Sequence, residues 1–201
     1  MANQPEQLKS VYVARTVEES QKKFDSYLKT AGRTLRPAFT IRNITSTHLT
    51  FMSSRGVKEK MKAQGYRQHE ARVFIAGLQK HLNKGGHHKP LRVRPDQNDT
   101  LYWPTGRPGR LAVRVMLDEQ LVDARGQIEE YTTDEFGPID ALQPFDQPHI
   151  TIGQAHPANI PPDARVNPNR LLGPAIKPPH WVALNGLVAC LGPIHSQIPR
   201  S

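Results

Sequence analysis

The sequence predicts strands and helices arranged as two similar lobes about a shared groove, and three observations carry that prediction. One device occurs twice: His48-Leu49-Thr50-Phe51 and His149-Ile150-Thr151-Ile152 both alternate polar and apolar residues, the period-two pattern of a half-buried strand. Residues two apart on a strand share a face, so each His stands beside its Thr while Leu49, Phe51, Ile150 and Ile152 turn inward. An imidazole next to a hydroxyl on one strand face suits the wall of a cleft. Each stretch also closes the same order of elements, a strand, a helix and then the motif strand, from Val11 to His48 and from Leu111 to His149. Finally, 201 residues suit one full-sized domain and are short for two.

Taken in order, residues 1–9 are polar and are expected to be poorly ordered, with a single two-lobed domain over 10–201. Ser10 to Ala14 alternates as a first strand. Thr16-Val-Glu-Glu19 has the capping-box spacing, which predicts a helix from about Val17 to Thr30. Ala38 to Ile41 reads as extended and leads into the strand over Ser46 to Met52. A short basic helix is expected over Gly56 to Gln64. A stronger one runs from Arg67 to Asn83, with Ala71, Phe74, Ala76 to Leu78 and Leu82 on its apolar side and Gly85-Gly86 after it. Leu91 to Arg94, Leu101 to Trp103 and Leu111 to Leu117 read as strands, the last two as a hairpin with Pro108-Gly109 in its loop. Asp118 can cap a helix to about Tyr131 with Leu121, Val122, Ile128 and Tyr131 buried. Pro144-Phe145 and Pro148 force an extended approach to His149. Residues 154–179 hold seven prolines and predict a loop, either a lid or a surface wrap. Trp181 to Leu184 and Leu187 to Leu191 read as one last strand interrupted at Asn185-Gly186.

Composition narrows the class. A hydrophobic content of 37% and a mean hydropathy of -0.58 lie on the polar side of globular, and no window has the apolar length of a membrane span. The amino terminus has no apolar run of the signal-peptide kind, so a cytoplasmic location is expected. Cys190 sits in an apolar run and reads as a buried, reduced thiol. The net charge of +9 favours polyanionic partners. It is uneven: Arg55 to Arg94 holds eleven Lys or Arg against Glu59 and Glu70, whereas Asp118 to Asp146 holds nine Asp or Glu against Arg125. Such runs also describe ordinary solvated helices.

Nine His and twelve Thr in this length give roughly 0.5 His-x-Thr matches by chance, so the flanking alternation and the helix before each motif carry the weight. With those residues in view, the chain resembles the 2H phosphoesterase superfamily, which includes LigT-like RNA 2′,3′-cyclic phosphodiesterases and 2′-5′ RNA ligases. The resemblance rests on His48-Leu-Thr50-Phe51 and His149-Ile-Thr151-Ile152, and loosely on the strand-helix order from Val11 to Gly153. It implies an α+β fold, two-lobed and pseudo-symmetric, with antiparallel sheets backed by helices and a central groove.

The same resemblance implies an enzyme, a phosphoric diester hydrolase acting on RNA-type 2′,3′-cyclic phosphates, with no metal or other cofactor; its expected partner is an RNA or oligonucleotide phosphate substrate, not a membrane, and no protein partner is implied. A 2′-5′ or cyclic oligonucleotide phosphodiesterase that counters nucleotide-based immunity is the alternative. A non-catalytic RNA-binding protein using the basic stretch is the alternative of another class. The residues suit the chemistry: His48 and His149 can act as the acid and base pair, since imidazole titrates near neutrality, and Thr50 and Thr151 can donate hydrogen bonds to phosphate oxygens. Which His is the base is open at this point. Tyr12, Tyr102 and Trp103 are candidates for stacking on a base, and Arg107 with Arg110 for holding a second phosphate. His81, His87 and His88 have no spacing that completes a metal site. There is no P-loop and no dinucleotide fingerprint.

Overall fold

In the computed structural model, which describes residues 8–36, 38–104, 108–139, 147–172 and 176–192, the chain opens with strand β1 (Val11–Thr16). Thr16 does not cap a helix there; it stays in β1, and helix α1 spans Lys22–Thr34. Competing partners explain the delay. The Glu18 N–H donates to the Ala183 carbonyl at 3.0 Å, and the Gln21 amide both donates to that carbonyl (2.6 Å) and accepts from the Ala183 N–H (2.8 Å). Residues 18–21 thus satisfy their polar groups against a distant strand before the helix begins. Helix α1 then buries Phe24, Tyr27, Leu28 and Ala31, one stripe at helical spacing.

Strands β2 (Phe39–Ile41) and β3 (His48–Ser54) lead into helix α2 (Arg55–Ala63), where Ser54 Oγ accepts the Val57 N–H at 2.9 Å. Helix α3 (Gln68–Lys84) begins with the Glu70 carboxylate accepting the Arg67 N–H. It buries Ala71, Phe74, Leu78 and Leu82, whereas Ala76, expected on the same side, is exposed, and Gly86 follows its end at φ 83°. Strands β4 (Leu91–Val93), β5 (Leu101–Tyr102) and β6 (Arg110–Arg114) precede helix α4 (Glu119–Phe136). Asp118 caps α4 by accepting the Leu121 N–H at 2.9 Å. That helix runs past Tyr131 because Phe136 is buried against Phe74, ring centroids 5.0 Å apart. Val122 is 51% exposed, on the outer side of a helix that buries Leu121, Ala124 and Ile128. Strand β7 (His149–Ala155) carries the second motif; α5 (Pro162–Val166), β8 (Val182–Leu184) and β9 (Val188–Leu191) complete the chain.

Six strands follow the order β5-β6-β7-β3-β1-β9, with β2 also paired to β7, and every pairing is antiparallel. The two expected lobes are the halves β9-β1-β3 and β7-β6-β5, joined where β3 pairs with β7. The last expected strand is instead two: β8 joins β4 in a small second sheet and β9 joins β1. The chain changes sheets at Gly186, where a side chain would meet the His88 carbonyl. Leu49, Ile150 and Ile152 are fully buried in one core with Leu78 and Leu82 of α3 and Leu121 and Ile128 of α4. On the opposite face Tyr12 packs with Ala14 and Cys190 in a small separate cluster. Burial pushes the Cys190 thiol up to about 11, in keeping with a protonated, structural cysteine.

The described part of the Pro-rich stretch wraps the far end of the sheet. The Trp103 indole N–H donates to the Ala164 carbonyl at 3.3 Å. The Asn169 amide accepts the Leu101 N–H (2.6 Å) and donates to the Leu101 carbonyl (2.9 Å), so one side chain stands in for a neighbouring strand along β5. Residues 1–7, Pro144 and Phe145 lie outside the described residues, while Leu8 is buried. Among the described residues no helix is long and apolar enough to cross a membrane.

Candidate active site

The two motifs face each other across the seam between the halves. His48 is paired with Thr151 and Leu49 with Ile150; continuing that register sets Thr50 opposite His149. Directly opposed residues on antiparallel strands share a face, so His48, Thr50, His149 and Thr151 form one quartet on the face turned away from α3 and α4. The two histidines are diagonal neighbours, which puts their Cα atoms about 7–8 Å apart. An approximate two-fold axis passes between Leu49 and Ile150, so the quartet has His and Thr at alternate corners.

Irregularities in the sheet obey the same symmetry. Against β1, strand β3 has one extra residue, Phe51, between Thr50 (opposite Ala14) and Met52 (opposite Val13). Against β6, strand β7 has one extra residue, Ile152, between Thr151 (opposite Ala112) and Gly153 (opposite Leu111). Both bulges fall at the residue after the motif Thr. A bulge bends its strand and re-aims the neighbouring side chains, and here both strands bend at the same place beside the quartet. The residues flanking the two Thr are Ala14 and Ala112, both fully buried, so a small side chain packs beside each Thr.

Beyond that core the halves differ. His48 is buried, 8% exposed, and its strand neighbours are Thr16 and Thr151. His149 is half-buried and lies opposite Arg114. The guanidinium of Arg114 sits over the Tyr102 ring at 4.7 Å and pairs with Asp99 at 3.0 Å; the Tyr102 ring is 5.7 Å from that of His149. A carbonyl can only accept, so the contact of His149 Nδ1 with the Gln147 carbonyl at 3.1 Å fixes the proton on Nδ1 and leaves the Nε2 lone pair available. Burial lowers the His149 pKa from its ordinary value; the Gln147 hydrogen bond opposes this and the positive charge of Arg110 adds to it. Arg110 also depresses Arg42, after burial, so two guanidiniums are gathered near the start of β6. The Arg42 N–H donates to the Ile152 carbonyl at 2.7 Å, which ties that residue to the bulge.

Of the residues expected from sequence, the four motif positions come together. Tyr12 and Tyr102 share their face, through the pairing of Tyr12 with Ser53 beyond the bulge and of Tyr102 with Ala112. Trp103 does not: it is buried, stacks on Phe39 with centroids 5.8 Å apart and spends its N–H on Ala164, so it is a core residue with no face for a base. Arg107 lies outside the described residues. Arg110 belongs to β6 rather than to a loop tip. Sequence reasoning missed Arg114 and Arg42. The alternation Arg110-Leu-Ala112-Val-Arg114 does carry the signal for Arg114, since it sets both arginines on the polar face of a strand; Arg42 follows only from how β2 docks on β7. His87 and His88 have structural partners, Asp123 at 3.2 Å and the Asn83 carbonyl at 3.1 Å.

No family model matches the chain, nor does any curated protein. Solved structures do resemble it. One is a phosphoesterase at 14% identity and a TM-score of 0.49, with 90% of this chain and 86% of that one covered. LigT of E. coli in apo form has 14% identity and a TM-score of 0.48 over 91% of this chain and 87% of its own. Usb1 of Kluyveromyces marxianus has 17% identity and a TM-score of 0.49, covering 94% and 96%.

Proposed function

We propose that the chain is a metal-independent phosphodiesterase of the two-histidine kind that hydrolyses RNA-type 2′,3′-cyclic phosphates. One observation carries the proposal: the pairing of β3 with β7 opposes His48 to Thr151 and, by register, His149 to Thr50, so two imidazoles and two hydroxyls stand together on one face of the sheet. Opening a cyclic phosphate needs one proton removed from the attacking water and one delivered to the departing ribose oxygen. His149 Nε2, on a ring whose proton affinity is lowered by burial and by Arg110, takes the proton from water. The new P–O bond forms as the bond to the ribose oxygen breaks, and the His48 imidazolium gives that oxygen its proton. Thr50 and Thr151 donate to the non-bridging oxygens, where negative charge builds. Arg114, Arg110 and Arg42 supply the positive field that holds the anion.

The test is turnover of 2′,3′-cyclic nucleotides with EDTA present, beside 2′-5′ oligoadenylates and cyclic dinucleotides as the competing substrate classes. His48→Ala and His149→Ala are each expected to lower kcat at least about 100-fold, the usual worth of a general acid or base, while circular dichroism is unchanged. Full activity in either variant refutes the assignment. Preference for an oligonucleotide without a cyclic terminus would move the reading to the 2′-5′ or cyclic class. Salt-sensitive RNA binding without turnover, abolished by replacing Lys58, Lys60 and Lys62, would establish the non-catalytic alternative.

A further inference from the structure

Along β6 the groove face continues past the quartet. Arg110, Ala112, Arg114 and Met116 alternate onto one side, and beyond Arg114 the chain acquires new neighbours. Pro95 bridges Val115, and the Met116 N–H donates to the Arg94 carbonyl at 2.8 Å. Val93 in turn pairs with Val182, so the next position in that register sets Arg94 beside Trp181. Met116, Arg94 and Trp181 therefore form a row across three strands on the face that carries His149. The contacts agree: the Arg94 guanidinium lies over the Trp181 ring at 4.3 Å. Met116 is 52% exposed and Trp181 46%, large apolar surfaces that a folded chain has reason to cover only with a partner. A cleft of about 1090 Å³ opens over the row, with Arg92 and His180 also on its wall.

We propose that this row is a second base-binding site, at which a single-stranded oligonucleotide held by its terminal phosphate at the quartet stacks a distal base. The inference rests on the reading of the quartet as a phosphodiesterase site and adds the substrate's length to it. The stacked Arg94 and Trp181 pair, rather than net charge, favours a nucleic acid over an apolar protein segment. Arg92 and Arg94 form no ion pair among the described residues. The wall is not basic overall, since Asp96, Asp118 and Glu119 stand against Arg92 and Arg94, with Asp96 accepting the N–H groups of Asn98 and Asp99 and Asp118 capping α4. A planar cation stacked on an indole is a surface on which a base of any sequence can lie. Three strand spacings across and two residues along separate Trp181 from His149, a distance on the order of 15 Å. A cyclic mononucleotide does not bridge that distance; a chain of a few nucleotides does.

The two tryptophans make the test direct, because Trp103 is buried and Trp181 is not. Emission of the His149→Ala protein is followed during titration with 2′,3′-cyclic-ended oligoribonucleotides of one to six residues, a measurement that needs no turnover. Quenching is expected with the longer oligonucleotides and not with the mononucleotide, and is lost in the same protein carrying Trp181→Ala. In the active protein, Trp181→Ala is expected to raise KM about 5- to 100-fold for a six-residue substrate and to leave the cyclic mononucleotide unaffected, with Trp181→Phe restoring affinity. Equal KM effects on both substrates, or quenching that persists without Trp181, overturns the proposal. So does quenching that depends only on protein concentration, which would mean that a second copy covers the row. If oligonucleotides quench Trp181 but nothing is turned over, the catalytic reading fails and the base-binding site stands.

Discussion

At the scale of single residues, the site is a nearly symmetric quartet made unequal by its surroundings. His149 has a positive neighbour and a fixed Nδ1 proton, whereas His48 stands between two threonines. The pH dependence follows. In the proposed reaction the base is neutral, so kcat/KM is expected to fall as pH drops through the His149 value, which burial sets below its ordinary 6.5. Arg110→Met removes one cause of that lowering, and the acid limb of the profile is expected to move up toward 6.5. A limb that stays in place, or moves down, would show that Arg110 does not act on His149. The position of Arg114 was legible only in part: its alternation marks a polar strand face, but that this face carries the quartet depends on the pairing of β6 with β7.

At the scale of elements, what the sequence made plain and what it hid separate by range. The motif strands and α3 were readable because their apolar periodicity is local and long enough to be unambiguous. The start of α1 was misread because the capping box at Thr16 is outcompeted by bonds to Ala183, a residue from the other end of the chain. The split of the last strand at Gly186 and the bulges at Phe51 and Ile152 are likewise set by partners far away in sequence. The edge of β5 is the clearest case, since nothing local marks Asn169 as its partner. Asn169→Ala leaves the Leu101 N–H and carbonyl without it and is expected to cost about 1–3 kcal/mol. Urea denaturation measures the loss, and amide exchange at Leu101 should accelerate with it. An unchanged midpoint would mean that water replaces the amide without cost.

At the scale of the whole molecule, the halves share one core, and the seam between them is lined by Leu49 and Ile150, both fully buried. Leu49→Ala is expected to cost about 2–5 kcal/mol and to lower the urea midpoint in a single transition common to Trp103 emission and far-ultraviolet dichroism. Two separated transitions would show that the halves fold independently. The basic stretch noticed in the sequence is divided by the fold. Lys58, Lys60 and Lys62 lie on α2, while Arg92 and Arg94 reach the cleft beside the groove. Net charge alone could not show this division.

The matched bulges have a last consequence. Two strands that buckle at equivalent points give each imidazole the same backbone setting, so the halves are told apart by their neighbouring side chains. The position that Arg110 occupies in one half is held by Tyr12 in the other, each two residues before a small alanine. Exchanging the pair, Tyr12→Arg with Arg110→Tyr, takes the positive charge away from His149 and should raise its proton affinity, an upward shift that ring-proton NMR titration would register.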